Sequence, residues 1–196
     1  KEYFDKSEII KKQGLSFKDI LAKDLFSLSS AKFLSVPVGI GDGDSIISMK
    51  IGDGSSHHGL IAGATGSGKS TLLHTFIMSC MLHYSPDELQ LYLMDFKGGT
   101  EFKIYESARL PHIHLLALDA MQEFGESILE NLVQEIEVRS NAFKGDVSKG
   151  EESVSKLADY VAIRGKSMPR IVVIMDEFQI LFNDANNRKV AMHCAE

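Results

Sequence analysis

The octapeptide GATGSGKS, Gly63 to Ser70, constrains the fold more than any other stretch of this chain. It fits G-x-x-x-x-G-K-[ST] at every fixed position, between a short apolar run, GLIAG, and a helical pattern, STLLHTFIMSCMLHY. Leu72, Leu73, Phe76, Ile77, Cys80 and Met81 recur there at helical spacing, and SPDE ends the element. A buried strand that delivers a glycine loop to a helix start separates a phosphate loop from a glycine-rich turn with an exposed lysine. Glycines let successive N–H groups curl around phosphate oxygens, and the helix beginning near Gly68 adds its positive dipole end. The expected nucleotide-binding residues are Gly63, Ala64, Thr65, Gly66, Ser67, Gly68, Lys69, Ser70 and Thr71. Lys69 is expected to reach the β- and γ-phosphates and act in catalysis, and the Ser70 hydroxyl to ligate Mg²⁺.

The rest of the chain alternates strands with helices. LQLYLMD reads as a strand apolar on both faces, as a central parallel strand should be, and HIHLLALD as another. Met121 to Phe143 reads as a long amphipathic helix with Met121, Phe124, Ile128, Leu132 and Ile136 on its buried stripe. KGDVSKGEES is a loop, and Val154, Leu157 and Val161 mark a shorter helix after it. Upstream of the phosphate loop, β-branched residues broken by Gly-Asp turns predict a hairpin or two short strands. Residues 1–35 read as a helical or irregular lead-in, and 36–196 as the nucleotide-binding domain. The expected class is α/β, with a mostly parallel sheet flanked by helices.

RIVVIMDEF supplies a second half for the site. An apolar run, Ile171 to Met175, carries the chain through the sheet and delivers Asp176 to its carboxyl edge, where ligands bind in open α/β folds. Asp176 is the expected partner of Mg²⁺. Glu177 is placed to orient or deprotonate a water attacking the γ-phosphate. Asp-Glu after a strand also suits a plain helix N-terminus, whose dipole favours acids. The phosphate loop tips the reading toward ATP hydrolysis. No Asn-Lys-x-Asp motif marks a guanine-reading switch protein, and no second phosphate-acceptor site marks a kinase.

Composition adds boundaries. A net charge of −6 tells against a surface broadly coated for nucleic acid, though not against a narrow basic loop inside an oligomer. No apolar run reaches membrane-span length, so this chain is expected in the cytoplasm, with any membrane anchor outside it. Cys80 and Cys194 lack metal-ligand spacing and read as buried or incidental thiols. His57, His58, His112 and His114 do not form a four-ligand pattern and read as structural or surface residues. Glu123, Glu126, Glu130, Glu135 and Glu137 read as the solvated face of the long helix. Arg139, Arg164 and Arg170 are candidates to reach a neighbour's nucleotide.

HHGLIAGATGSGKS, YLMDFKGG, LPHIHLLALD and MPRIVVIMDEF follow one another as in the FtsK/SpoIIIE superfamily of ring-forming motor ATPases, which the chain resembles from about Leu34 to Phe182. LSVPVGIG and EIEVRSNAF look similar to family members as well. The resemblance implies a RecA-like P-loop core that assembles into a homo-oligomeric ring, a hexamer, with ATP between subunits and a polymer drawn through the channel. Lys69 and Ser70 match the family's phosphate and Mg²⁺ residues (Walker A), and Asp176 and Glu177 its metal and catalytic positions (Walker B). DNA-translocating members commonly carry Asp-Pro-Lys where this chain has Asp95-Phe96-Lys97. Asp-Phe-Lys-Gly-Gly is more like the ATPases of type VII protein secretion, while DFKGGTEF with QEFGESILENL also resembles members assigned as DNA translocases. Double-stranded DNA is the leading expectation for the cargo, a secreted polypeptide its rival, and a non-hydrolysing ATP-binding module the alternative of a different class. Read locally, Gly98 and Gly99 permit unusual dihedrals in a loop at the strand's carboxyl edge, where Lys97 meets either an anion or water.

Family members continue into a further strand that lies between the two motif strands. Few residues follow Glu177, so the resemblance implies a core cut after the Walker B strand, with a gap in its sheet and apolar edges left open.

Overall fold

The computed structural model describes residues 17–20, 24–54, 56–118 and 122–182. Met121, Cys194 and most of the lead-in lie outside them. The predicted hairpin is present: β1 (Leu34–Ile40) pairs antiparallel with β2 (Ile46–Ile51), from Leu34↔Ile51 to Ile40↔Ile46. The register shifts between Pro37 and Gly39, where proline cannot donate to the ladder. Gly43 turns the corner at φ 65°, a value that costs glycine nothing.

A separate three-stranded sheet carries the site. Its order is β4 (Ile113–Ala117), β3 (Leu89–Asp95), β5 (Arg170–Asp176), with both pairs parallel. β3 is central, as apolar residues on both of its faces predict. Its side chains alternate between two cores. Leu89, Leu91 and Leu93 face Leu73, Phe76, Ile77, Cys80 and Met81 of α1 (Lys69–His83), together with Leu34 and Val36 of the hairpin. Tyr92 and Met94 face the other way, toward Ile128 and Leu129 of α2 (Gln122–Lys144) and toward Leu181. The period of two along β3 thus sorts one strand into two helix-covered faces.

Polar contacts fix the hairpin and lead-in to this frame. The Tyr84 hydroxyl, just past α1, accepts from Ser35 N–H at 2.7 Å and donates to the Ser35 carbonyl at 3.2 Å. The Glu88 carboxylate accepts from Ser30 N–H and from the Ser30 hydroxyl, both at 2.7 Å. α3 (Leu157–Arg164) is the expected shorter helix, and Gly165 closes it in the left-handed conformation.

Two expectations are corrected. GLIAG is not a buried strand: residues 57–64 belong to no strand, and Leu60 is 74% exposed. An extended segment becomes a strand only beside a partner, and β5 pairs with β3 alone among the described residues, leaving its other edge unpaired. The stripe on α2 is also displaced. Ile128 and Leu129 are buried and Leu132 packs beside them, but Phe124 and Ile136 are 51% and 53% exposed. A 23-residue helix is about 34 Å long, whereas a five-residue strand such as β4 extends only about 17 Å. The helix therefore overhangs the sheet, and apolar spacing alone does not reveal where its cover ends.

Candidate functional site

Strand register assembles the site. β3 and β5 run in step from Leu89↔Arg170 to Asp95↔Asp176, so two aspartates end side by side at the carboxyl edge. Phe96 N–H donates to the Asp176 carbonyl at 3.3 Å, extending the match by one residue into the loops.

The phosphate loop stands at the same edge. Gly66 and Gly68 have φ of 79° and 92°, conformations that L side chains resist. Gly68 is the N-cap of α1, and Ser67 N–H closes the loop on the Ala64 carbonyl at 3.0 Å. A Cβ on Gly63 would meet the Ser67 hydroxyl as it stands, so a larger residue there requires the serine side chain to turn away. Residues 64–68 are exposed, Lys69 and Ser70 half-buried. The first N–H groups of α1 lack partners within the helix by geometry, which leaves them available to an anion at the loop.

Lys69 reaches across this cradle, placing Nζ 3.4 Å from Asp176 Oδ1. Glu177 follows at φ 53°, a left-handed value rare for a residue with a side chain. Its Oε1 lies 3.9 Å from Lys97 Nζ, and its Oε2 accepts from the Gln179 amide. A short 3₁₀ run, Phe178–Phe182, continues from it. Lys69 of the phosphate loop thus meets Asp176, and Glu177 follows Asp176 at the end of β5. The donor set fits a nucleotide with Mg²⁺: a loop turned by Gly66 and Gly68 at positive φ, a lysine, a hydroxyl and two carboxylates.

DFKGGTE is a closed loop built on Asp95. The carboxylate is buried and accepts from Lys97 N–H at 2.8 Å and from Glu101 N–H at 3.1 Å. Gly98 and Gly99 turn the chain at φ 78° and 61°. This capping role was not read from the sequence, although Asp before a glycine-rich stretch is a signal for it. His74 was missed as well. One turn past Ser70 on α1, its Nδ1 lies 2.8 Å from the Tyr105 hydroxyl and its Nε2 3.1 Å from Glu101 Oε1. That carboxylate oxygen is buried and has no hydrogen-bond partner among the described residues. Burial, then the Glu101 charge, push the Tyr105 phenol up to about 12, so its O–H stays available as a donor to His74. Nothing in the linear spacing announces this cluster.

The remaining candidates resolve locally. Arg170 begins β5, at the opposite end from Asp176, and donates to the carbonyls of Ser30 and Lys32 at 2.9 and 3.1 Å. Arg139 bonds Glu135 at 2.7 Å and the Pro169 carbonyl at 2.6 Å, and Arg164 donates to the Glu152 carbonyl at 2.6 Å. All three arginines hold their own chain. Of the acids on α2, Glu123 and Glu137 are exposed, whereas Glu126, Glu130 and Glu135 are half-buried. His112 is buried against the Tyr84 carbonyl at 2.8 Å, and His114 stacks on Tyr92. No group of His, Cys, Asp and Glu among the described residues forms a metal cluster. No helix among them is long and apolar enough to cross a membrane.

Known proteins place this arrangement. The model of the FtsK/SpoIIIE family matches residues 29–192. The ESX secretion system protein YukB of Bacillus subtilis (strain 168) is 32% identical over 158 residues, which cover 76% of this chain and 10% of YukB. The type VII secretion system protein EssC of Staphylococcus aureus (strain NCTC 8325 / PS 47) is 30% identical over 156 residues, covering 75% of this chain and 10% of EssC. The chain therefore spans about a tenth of the length of these curated relatives. Among solved structures, the cytoplasmic domain of the Thermomonospora curvata type VII secretion ATPase EccC superposes with a TM-score of 0.63 at 25% identity, covering 91% of this chain and 21% of that one. The fold is that of a P-loop ATPase core, and the chain belongs to the FtsK/SpoIIIE family.

Proposed function

We propose that the chain is the ATP-binding and ATP-hydrolysing core of a ring-forming motor that moves a secreted polypeptide. The observation that carries the ATPase reading is the contact of Lys69, in the phosphate loop, with Asp176, the residue that precedes Glu177. In this reading residues 63–71 cradle the phosphates, with Lys69 turning from Asp176 to the β- and γ-oxygens. Ser70 and Asp176 would hold Mg²⁺, which would supply charge neutralisation at the phosphates. Glu177 accepts the proton of the attacking water. A non-hydrolysing module has no use for a carboxylate held beside the metal position.

The cargo reading follows the relatives. Double-stranded DNA was the leading expectation from sequence, but YukB, EssC and EccC carry secretion in their names, which supports the polypeptide instead. Asp95-Phe96-Lys97 and the net charge of −6 agree with it. Assembly into a ring, with ATP between subunits, belongs to the same proposal.

The test is ATP turnover by the parent protein, alone, with double-stranded DNA, and with a panel of polypeptides secreted by the source organism, beside Glu177→Gln. Stimulation by a polypeptide and not by DNA, lost in the variant, is the expected result. Stimulation by DNA that fades steeply with rising salt would restore the DNA reading. Nucleotide binding without turnover in any condition would leave the binding module.

A further inference from the structure

The loop after β3 presses one cation against the carboxylate assigned to the water. Lys97 Nζ lies 3.9 Å from Glu177 Oε1, although the lysine side chain is 71% exposed. Its backbone is not free to wander. Asp95 holds the N–H groups of Lys97 and Glu101, Glu101 is tied to His74 of α1, and Phe96 packs tightly against Gly125 of α2. The loop is thus braced on both helices, and Lys97 projects from a fixed base.

Glu177 needs such a brace. A residue with a side chain at φ 53° is strained, and strain of this kind persists where surrounding contacts over-determine it. Gln179, which donates to Oε2, belongs to the turn that Glu177 itself begins and moves with it. Lys97 arrives from a different element, so its contact can hold the carboxylate relative to the sheet. An ion pair this exposed contributes little to folding, which leaves placement as its effect. The bland alternative is a solvated lysine resting near an acid by chance.

We infer that Lys97 is a positioning residue for Glu177, through which the DFKGG loop fixes the carboxylate at the sheet edge. This rests on the ATPase reading above. Two measurements test it. The first is zero-length cross-linking without nucleotide: a carbodiimide activates a carboxylate, the lysine amine attacks, an isopeptide bond forms and the urea leaves. Mass spectrometry should find Lys97 joined to Glu177, with Lys69 joined to Asp176 as the internal control, and the first link should vanish in Lys97→Met. The second is turnover. Lys97→Met should lower kcat roughly 10- to 100-fold, the cost of a misplaced catalytic group. ATP affinity and melting temperature should hold, and Lys97→Arg should restore most of the rate.

Wild-type kcat in Lys97→Met, a change in KM alone, or no Lys97–Glu177 link where the control link forms would overturn the inference. Absence of turnover in the wild type too would sink the ATPase reading by itself, and the cross-link would still decide whether Lys97 holds Glu177.

Discussion

Lys69 Nζ stands 3.4 Å from Asp176 Oδ1, so the cation of the phosphate loop and the acid of β5 neutralise each other across the mouth of the site. Under the proposed function each is the other's rival partner, the lysine for phosphate and the aspartate for Mg²⁺, and a bound nucleotide with its metal would exchange this one contact for two.

That exchange has a measurable signature. Lys69→Ala should weaken ATP binding about 10- to 100-fold, the loss of a charge-assisted contact. Asp176→Asn should do something less obvious. It frees Lys69, so ATP affinity in EDTA should rise by up to about fivefold, the scale of a partly exposed ion pair. The gain that Mg²⁺ gives the wild type should disappear. Titration with a fluorescent ATP analogue, with and without Mg²⁺, reads both changes; equal affinities in EDTA would mean that the pair does not compete with phosphate.

Asp95 is the keystone of the DFKGG loop. It is buried and accepts from two backbone N–H groups, so Asp95→Ala should cost about 2–4 kcal/mol, because both donors lose a charged acceptor. For a chain of this size that lowers the melting temperature by roughly 5–15 °C. Asp95→Asn keeps one acceptor oxygen and should fall between the two. Calorimetry orders the three proteins, and an unchanged Asp95→Ala would remove the capping argument.

Gly125 should break the usual rule for helix glycines. Alanine in a helix interior normally gains up to about 1 kcal/mol over glycine. Here a Cβ would lie 2.7 Å from Phe96 Cε1 and 2.8 Å from Leu181 Cδ2, and overpacking of this kind costs about 1–3 kcal/mol. Gly125→Ala should therefore destabilise and Gly125→Val more so. Chemical denaturation gives the sign directly.

Alkaline pH should weaken the fold through Tyr105. Its phenol is raised from an ordinary value of 10.0 to about 12, so between these the folded protein holds a proton that the unfolded chain has lost. Stability linked to this group is complete below about pH 10 and falls as pH rises through 12. Tyr105→Phe should flatten that part of the stability–pH curve. Burial raises the Cys80 thiol as well, so in a Cys194→Ser background it should react with thiol reagents only as fast as the protein opens.

Much of this protein is legible in its linear order because the relevant forces are local. Helical spacing from Leu73 to Met81, the apolar residues on both faces of β3 and the glycine pattern of residues 63–68 each encode their own conformation through sterics and burial. The phosphate loop, Asp176 and Glu177 could be named for the same reason: a strand end and a glycine loop are short-range objects. GLIAG shows the boundary. Its composition is that of a strand, yet pairing requires a neighbour, and β5 leaves that edge unpaired among the described residues.

Only tertiary structure decided which side chains share the site. The in-step register of β3 and β5 sets Asp95 beside Asp176, and from that follow the closed loop, the reach of Lys97 to Glu177 and the tie from Glu101 to His74. Those partners lie 80 and 27 positions apart in sequence, as the numbering of Lys97 with Glu177 and of His74 with Glu101 requires. Local propensity carries no information about such distances. Strand pairing does, because one shared register places every residue of two strands at once.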